Sequence, residues 1–318
     1  MYIVQSVFHS LIAAIVVESA IAAWEIENPT IRQRFRFAVI LLPVLSFPLY
    51  QAFNPDRGSI FFRLEAFLDT NRWLYFELWG GVPFYGVFLT VLFVTAVVFF
   101  FQEFMPILRH SFTSGQSKGT PKKVEEGTAL NDAMASLPGE KPAFFCVEDE
   151  DILLYSTTGN NGAIFVSTGL IDTLDRDQLE AALAHEVAHI RRSKRPSLLL
   201  IFMLRVLMFF NPVVLVEFRK IVHGEEKICD DMAVSFTGKP QVLAETLRQL
   251  FHRTEEVRPL HTEKLANLRA AVEEYSHNMH IESRIERLER GIYQRTGGQG
   301  FKYGITLAVI VVISYFVV

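Results

Sequence analysis

The chain has 318 residues, half of them apolar, with 28 phenylalanines and a formal net charge of −4. That charge leaves no dominant basic face and argues against a nucleic-acid role. Cys146 and Cys229 are the only cysteines and neither has a C-x-x-C partner, which argues against a disulfide framework or a cysteine-built zinc ribbon.

In chain order, the apolar residues gather into runs. Tyr2 to Trp24 is a first candidate membrane span, although it contains His9 and Glu18, and Phe37 to Phe53 is a second, interrupted by Pro43 and Pro48. Phe84 to Phe101 carries no charge and approaches the roughly 20 residues that cross a bilayer core. Tyr303 to Val318 is a shorter apolar tail. No positive n-region or cleavage site opens the chain, so a removable signal peptide is not expected. Arg32, Arg34 and Arg36 fall between the first two runs, Arg109, Lys118, Lys122 and Lys123 follow the third, and Arg284, Arg287, Arg290, Arg295 and Lys302 precede the tail. Lysine and arginine accumulate in cytoplasmic loops, so these segments are expected inside, with Asn54 to Val82 and both termini outside.

The expected organisation is a membrane anchor of three transmembrane helices over 1–103, a flexible cytoplasmic linker over 104–139, a folded domain over 140–296 and a C-terminal transmembrane helix over 303–318. The linker is read from Ser111 to Gly139, which is rich in Ser, Gly, Thr, Lys and Pro. In the domain, Ala143 to Val147, Ile152 to Ser156 and Ala163 to Ser167 read as strands, the last two joined through Gly159-Asn160-Asn161-Gly162. Asp175 and Gln178 have capping-box spacing. The helix they open runs to about Lys194, with Leu179, Ala182, Leu183, Glu186, Val187 and Ile190 on one face.

That helix contains His185-Glu186-Val187-Ala188-His189. Histidines at i and i+4 aim both rings at one point, and an adjacent carboxylate completes the pattern of a zinc hydrolase. A third ligand is expected within Glu225-Glu226-Lys227-Ile228-Cys229-Asp230-Asp231. Glu226 would ligate the metal, and Asp230, one turn on, would hydrogen-bond the far nitrogen of a liganding histidine. Glu225 is the alternative if the register differs by one. His223, His252, His261, His277 and His280 read as surface or core residues.

The apolar stretch from Ser197 to Phe218 separates His189 from Glu226. A single crossing of the bilayer would put the ligands on opposite sides, so the stretch is expected to return as a helical hairpin at 197–218, broken at Asn211-Pro212. It dips into the membrane or lies along its inner face. Arg205 in this stretch and Glu18 in the first span are costly in hydrocarbon; the expectation is that they pair with each other or snorkel to the headgroups.

Ser167-Thr168-Gly169-Leu170-Ile171, the run from Leu174 to Glu180 and the run from His185 to Arg192 resemble the integral-membrane zinc metallopeptidases of the HtpX and CAAX-prenyl-protease type. Phe209-Phe210-Asn211-Pro212 and Glu226-x-x-Cys229-Asp230-Asp231 look more like the related BlaR-type peptidases, and Ser283 to Leu288 is similar to a segment that follows the catalytic core in both. The resemblance covers about Ala143 to Leu288. It implies an α+β, mainly α fold: multi-pass membrane helices plus a gluzincin-like domain with a small β-sheet. His185, His189 and Glu226 would hold one Zn2+ per chain, and Glu186 would be the catalytic base that activates water.

The implied activity is a membrane-bound, zinc-dependent endopeptidase of membrane or membrane-proximal proteins, in the cell inner membrane with its catalytic domain in the cytoplasm. Its partners would be a protein or peptide substrate and the lipid bilayer, with no nucleic acid. The strand Ala163 to Ser167 is expected to align substrate by edge pairing. Two other classes are a signal-transducing receptor with the peptidase as output, and a non-catalytic membrane scaffold. Trp73, Tyr75 and Trp79 in the outward loop would serve the first as a sensor, or simply anchor the loop at the interface.

Overall fold

A computed structural model describes residues 2–78, 81–104, 122–123, 129–157, 162–193, 195–256, 280–291 and 299–318. Most of the expected tether, the Gly159-Asn160-Asn161 turn, Lys194 and Trp79 lie outside the described residues. The elements are α1 (Tyr2–Ala23), α2 (Pro29–Phe53), α3 (Ile60–Glu65), α4 (Thr70–Leu74), the antiparallel pair β1 (Glu77–Leu78) and β2 (Val82–Pro83), and α5 (Phe84–Phe99). There follow β3 (Lys122–Lys123), α6 (Ala129–Ser136), β4 (Ala143–Val147), β5 (Leu154–Ser156), β6 (Ala163–Ser167), α7 (Thr168–Thr173) and α8 (Arg176–Ser193). The remainder is α9 (Pro196–Leu207), α10 (Pro212–Thr237), α11 (Pro240–Glu256), α12 (280–290) and α13 (Gln299–Tyr315). Two compact units result: Met1–Gln116 with Pro196–Gly224 and Gln294–Val318, and Ser117–Arg195 with Glu225–Tyr293.

The first unit is the membrane part. Tyr2–Ala23, Pro29–Phe53 and Phe84–Gln102 are long and apolar enough to cross a bilayer, whereas α9 and α13 are apolar but shorter. Asn28 caps α2 by accepting from the backbone N–H groups of Thr30 and Ile31, with Pro29 at the first helical position, the arrangement that starts a helix most readily. Arg32, Arg34 and Arg36 therefore lie in the opening turns of α2 and not in a loop. This position brings Arg36 to Glu18 at 2.7 Å and to Glu217 at 2.7 Å, and Lys220 bonds the same two carboxylates at 2.6 and 2.7 Å.

The expected alternatives for Glu18 and Arg205 are thereby both corrected. Glu18 pairs with Arg36 and Lys220 instead. Arg205 is fully buried and donates to the carbonyls of Met208 and Phe209, just past the end of α9, with its guanidinium 4.8 Å from the Phe99 ring centroid. The chain breaks between α9 and α10 because Asn211 accepts from the N–H groups of Val213 and Val214 while donating to Ser10. Ile201, Leu204 and Met208 then pack with Val214, Ile221 and Ile40 of α2.

In the second unit the strand order is β3-β4-β6-β5, with β4 parallel and β5 antiparallel to β6. Alternation puts Ile164 and Val166 into the core beside Leu179, Leu183 and Val187 of α8, and leaves Phe145, Phe165 and Tyr155 stacked on the opposite face at 5.3 and 5.0 Å. Helix α8 opens on a reciprocal capping box: Gln178 N–H donates to Asp175 Oδ1 at 2.8 Å, and Asp175 N–H to Gln178 Oε1 at 3.1 Å. Within the stretch read as tether, α6 is a helix because Leu130, Ala133, Met134 and Leu137 recur at helical spacing and all are buried in the same core. Gly169 follows the cap of α7, where a Cβ would meet the Glu150 carbonyl oxygen at 2.1 Å. Only a residue without a side chain fits there.

Candidate metal centre

The centre is built within the second unit from three helices. Helix α8 sets His185 and His189 one turn apart, with ring centroids 4.6 Å apart and the two Nε2 atoms 3.0 Å apart. Helix α10 adds Glu226, whose Oε2 is 3.5 Å from His185 Nε2 and whose Oε1 is 3.5 Å from His189 Nε2. Ligand atoms on one tetrahedral ion with bonds near 2.1 Å stand about 3.4 Å apart. The three donors meet that spacing, and no other His, Cys, Asp or Glu group among the described residues converges in this way. The chemistry fits as well, since two imidazoles and one carboxylate are a common donor set of hydrolytic zinc sites.

The register also separates the two candidate glutamates. Glu225 is turned to Arg192, which donates through Nε and, at 2.7 Å, through its terminal nitrogen. Asp230, 1 % exposed, lies one turn beyond Glu226 with Oδ1 3.0 Å from His185 Nδ1. Glu186 is half-buried beside the histidines and has no ion-pair partner among the described residues. Its helical neighbours Ala182, Leu183, Val187 and Ile190 are buried.

Arg284 of α12 is a member of the centre to which the sequence reading assigned no role. Its Nε and one terminal nitrogen donate to both oxygens of Asp230 at 2.8 and 2.7 Å, and the other terminal nitrogen lies 3.0 Å from Glu226 Oε2. Arg287, one turn further, takes Asp231 in the same two-pronged manner. The signal was present in the chain: arginines at i and i+3 match consecutive aspartates. Cys229 was likewise noted without a role, and its buried Sγ lies 3.5 Å from His189 Nδ1. His261 and His277, read as surface or core residues, lie outside the described residues.

These contacts set the electrostatics. Burial pulls the His185 pKa down, but the Asp230 and Glu226 carboxylates at 3.0 and 3.5 Å outweigh it and push it up to about 9. Any cation taking this nitrogen must displace that proton. Burial raises Asp230, yet the Arg284 charge and the His185 bond hold it at about 2. Glu226 is likewise raised by burial and lowered further by its histidine bonds and Arg284, ending well below the usual carboxylate range. Both carboxylates stay ionised.

The expected substrate-aligning strand is corrected by the pairing order. Strand β6 is central, flanked by β4 and β5, and β5 is the edge. Ladder bonds at Leu153 and Thr157 turn the backbone groups of Leu154 and Ser156 outward by alternation. Helix α8 packs against both β5 and β6.

The family model described as BlaR1 peptidase M56 matches residues 82–250, more than half of the chain and a stretch that includes His185, Glu186, His189, Glu226 and Asp230. A protease HtpX homolog of Neisseria meningitidis serogroup C / serotype 2a is 33% identical over 117 residues, covering 34% of this chain and 42% of that protein. Protease HtpX homologs of Moorella thermoacetica and Streptococcus thermophilus are each 29% identical, over 134 and 126 residues. They cover 40% and 36% of this chain, and 44% and 39% of their own length is matched. The chain thus spans less than half the length of the curated relatives it matches.

Proposed function

The chain belongs to the BlaR1 peptidase M56 family, and from that premise we propose that it is a membrane-bound, zinc-dependent endopeptidase acting on membrane or membrane-proximal proteins. The observation that carries this reading is the convergence of His185 Nε2, His189 Nε2 and the Glu226 carboxylate at 3.0–3.5 Å. These three side chains would hold one Zn2+ per chain. A bound zinc ion supplies an electrophile that acidifies water and polarises a peptide carbonyl.

The chain's own residues do the rest. Asp230 fixes the His185 tautomer by accepting its Nδ1–H. Arg284 offsets the charge of Asp230 and Glu226, so the pocket does not carry two uncompensated anions. The Glu186 carboxylate takes the proton of the attacking water and then delivers it to the leaving amide nitrogen, a general base turned general acid. The outer edge of β5 offers Leu154 and Ser156 backbone groups to an extended substrate, which would add a strand. Arg191, Arg192 and Arg195 before the apolar stretch 197–218 and Arg219 and Lys220 after it favour both ends of that stretch on the cytoplasmic face of the inner membrane. The catalytic domain, 140–296, goes with them.

Glu186→Gln in the purified full chain is the test. It should retain metal in elemental analysis and lose about 10²–10⁴-fold in cleavage of an unstructured reporter protein. A variant that cleaves as fast as the parent, or a parent without metal, refutes the reading.

A further inference from the structure

A metal-bound histidine needs a partner for its second ring nitrogen, because that partner fixes the tautomer and the orientation of the ring. The two histidines of this centre are served unequally. His185 Nδ1 faces a carboxylate, Asp230 Oδ1, at 3.0 Å, and Arg284 braces that carboxylate from behind. His189 Nδ1 faces a thiol, Cys229 Sγ, at 3.5 Å.

Residues 226, 229 and 230 share one face of α10 at i, i+3 and i+4. One turn of one helix therefore presents the third donor and a partner for each imidazole. The sulfur sits beside Nδ1, on the far side of the ring from the Nε2 that meets Glu226 and His185. A metal at the point of convergence would bind His189 through Nε2, leaving Nδ1 to carry the ring proton. Cys229 is 0 % exposed, so in its absence that proton would lose its nearest partner to a buried void.

We propose that Cys229 is a positioning residue of the centre: its sulfur accepts the Nδ1–H of His189 and aims Nε2 at the metal without itself becoming a ligand. This rests on the reading of His185, His189 and Glu226 as a zinc site. It adds a consequence which that reading lacks. Sulfur is a weak acceptor, so His189 is held by a softer partner than His185, and the two imidazoles of one motif contribute unequally to affinity.

The experiment uses the full chain in detergent and reads zinc affinity by competition with a chromogenic chelator, together with the absorption spectrum of the Co2+-substituted protein. Cys229→Ala should still bind one zinc but about 10–100-fold more weakly. Cys229→Ser, which restores an acceptor at the same place, should recover most of that loss. The parent's cobalt form should lack the intense near-ultraviolet sulfur-to-metal charge-transfer band. Equal affinity in the parent and Cys229→Ala overturns the proposal, as does a Cys229→Ser variant no tighter than Cys229→Ala. A charge-transfer band that disappears with the cysteine overturns it too, by making the sulfur a ligand. Should Cys229→Ala fail to fold, the serine variant alone decides, since its affinity must stay within about threefold of the parent's for the proposal to stand. A parent that binds no zinc at all removes the metal centre itself, an outcome distinct from any of these.

Discussion

Among the described residues, each unit holds a cluster of partly buried, ionisable side chains, and the two are closed in different ways. In the membrane unit, Glu18 and Glu217 meet Arg36 and Lys220, two acids against two bases, at 2.6–2.7 Å. Every strong contact there joins a donor to an acceptor, so the group is complete as it stands. In the second unit, two imidazole nitrogens and a carboxylate turn their acceptor atoms toward each other at 3.0–3.5 Å, and the balancing guanidinium lies to one side. Charge composition alone does not separate these cases. What separates them is that in the second unit three side chains able to ligate a metal converge on a common point, whereas in the first each acid is already matched by a permanent base.

The comparison can be broken experimentally. The largest effect is expected in the closed cluster: Arg36→Ala leaves Glu217, 2 % exposed, with one base where it had two. Thermal unfolding in detergent should then show a loss approaching about 3 kcal/mol, and a change under a few tenths would mean that water already screens the group. In the open cluster, Asp230→Asn should weaken zinc binding about 10–100-fold, as read by chelator competition; unchanged affinity would remove Asp230 from the centre.

Smaller effects probe the surroundings of the open cluster. Ser156→Pro deletes an outward N–H from the β5 edge without touching the ladder to β6, so KM should rise about fivefold, one hydrogen bond of about 1 kcal/mol, with kcat little changed. A fall in kcat alone would move the substrate elsewhere. The smallest change is expected for Glu180→Gln. Burial raises the pKa of Glu180, but Lys239 and Ser136 lower it further, so it lies below its ordinary 4.5. Its stabilising contribution is present above 4.5 and fades as pH falls through the depressed value. The stability gap between parent and variant should therefore close on acidification, and a gap that widens contradicts the pairing.

The parts of this arrangement that were legible in the sequence are the ones encoded within a single helix. The His185–His189 spacing, the Asp175/Gln178 cap and the Glu226/Asp230 spacing each depend on residues three or four apart, and helical geometry alone brings them together. Two local features were hidden by composition. The Ser-, Gly- and Pro-rich character of the linker masked the apolar stripe of α6, and the charges of Arg32, Arg34 and Arg36 masked the Asn28-Pro29 start of α2. The remaining misses are nonlocal. Strand order decides that β5 and not β6 is the edge, and no spacing within either strand carries that information. Arg284 reaches Asp230 across 54 positions, beyond any helical period.

The remoteness of Arg284 also sets a timetable. Synthesis delivers His185 to the ribosomal exit 99 residues ahead of Arg284, and Glu226 and Asp230 follow the histidines well before α12 exists. Once those acids are out, the nascent chain holds its imidazoles and both carboxylates with the counter-cation still to emerge. The pocket reaches electrical balance only when α12 has emerged behind the two helices that carry the donors, so its maturation waits on a segment 54 residues beyond Asp230.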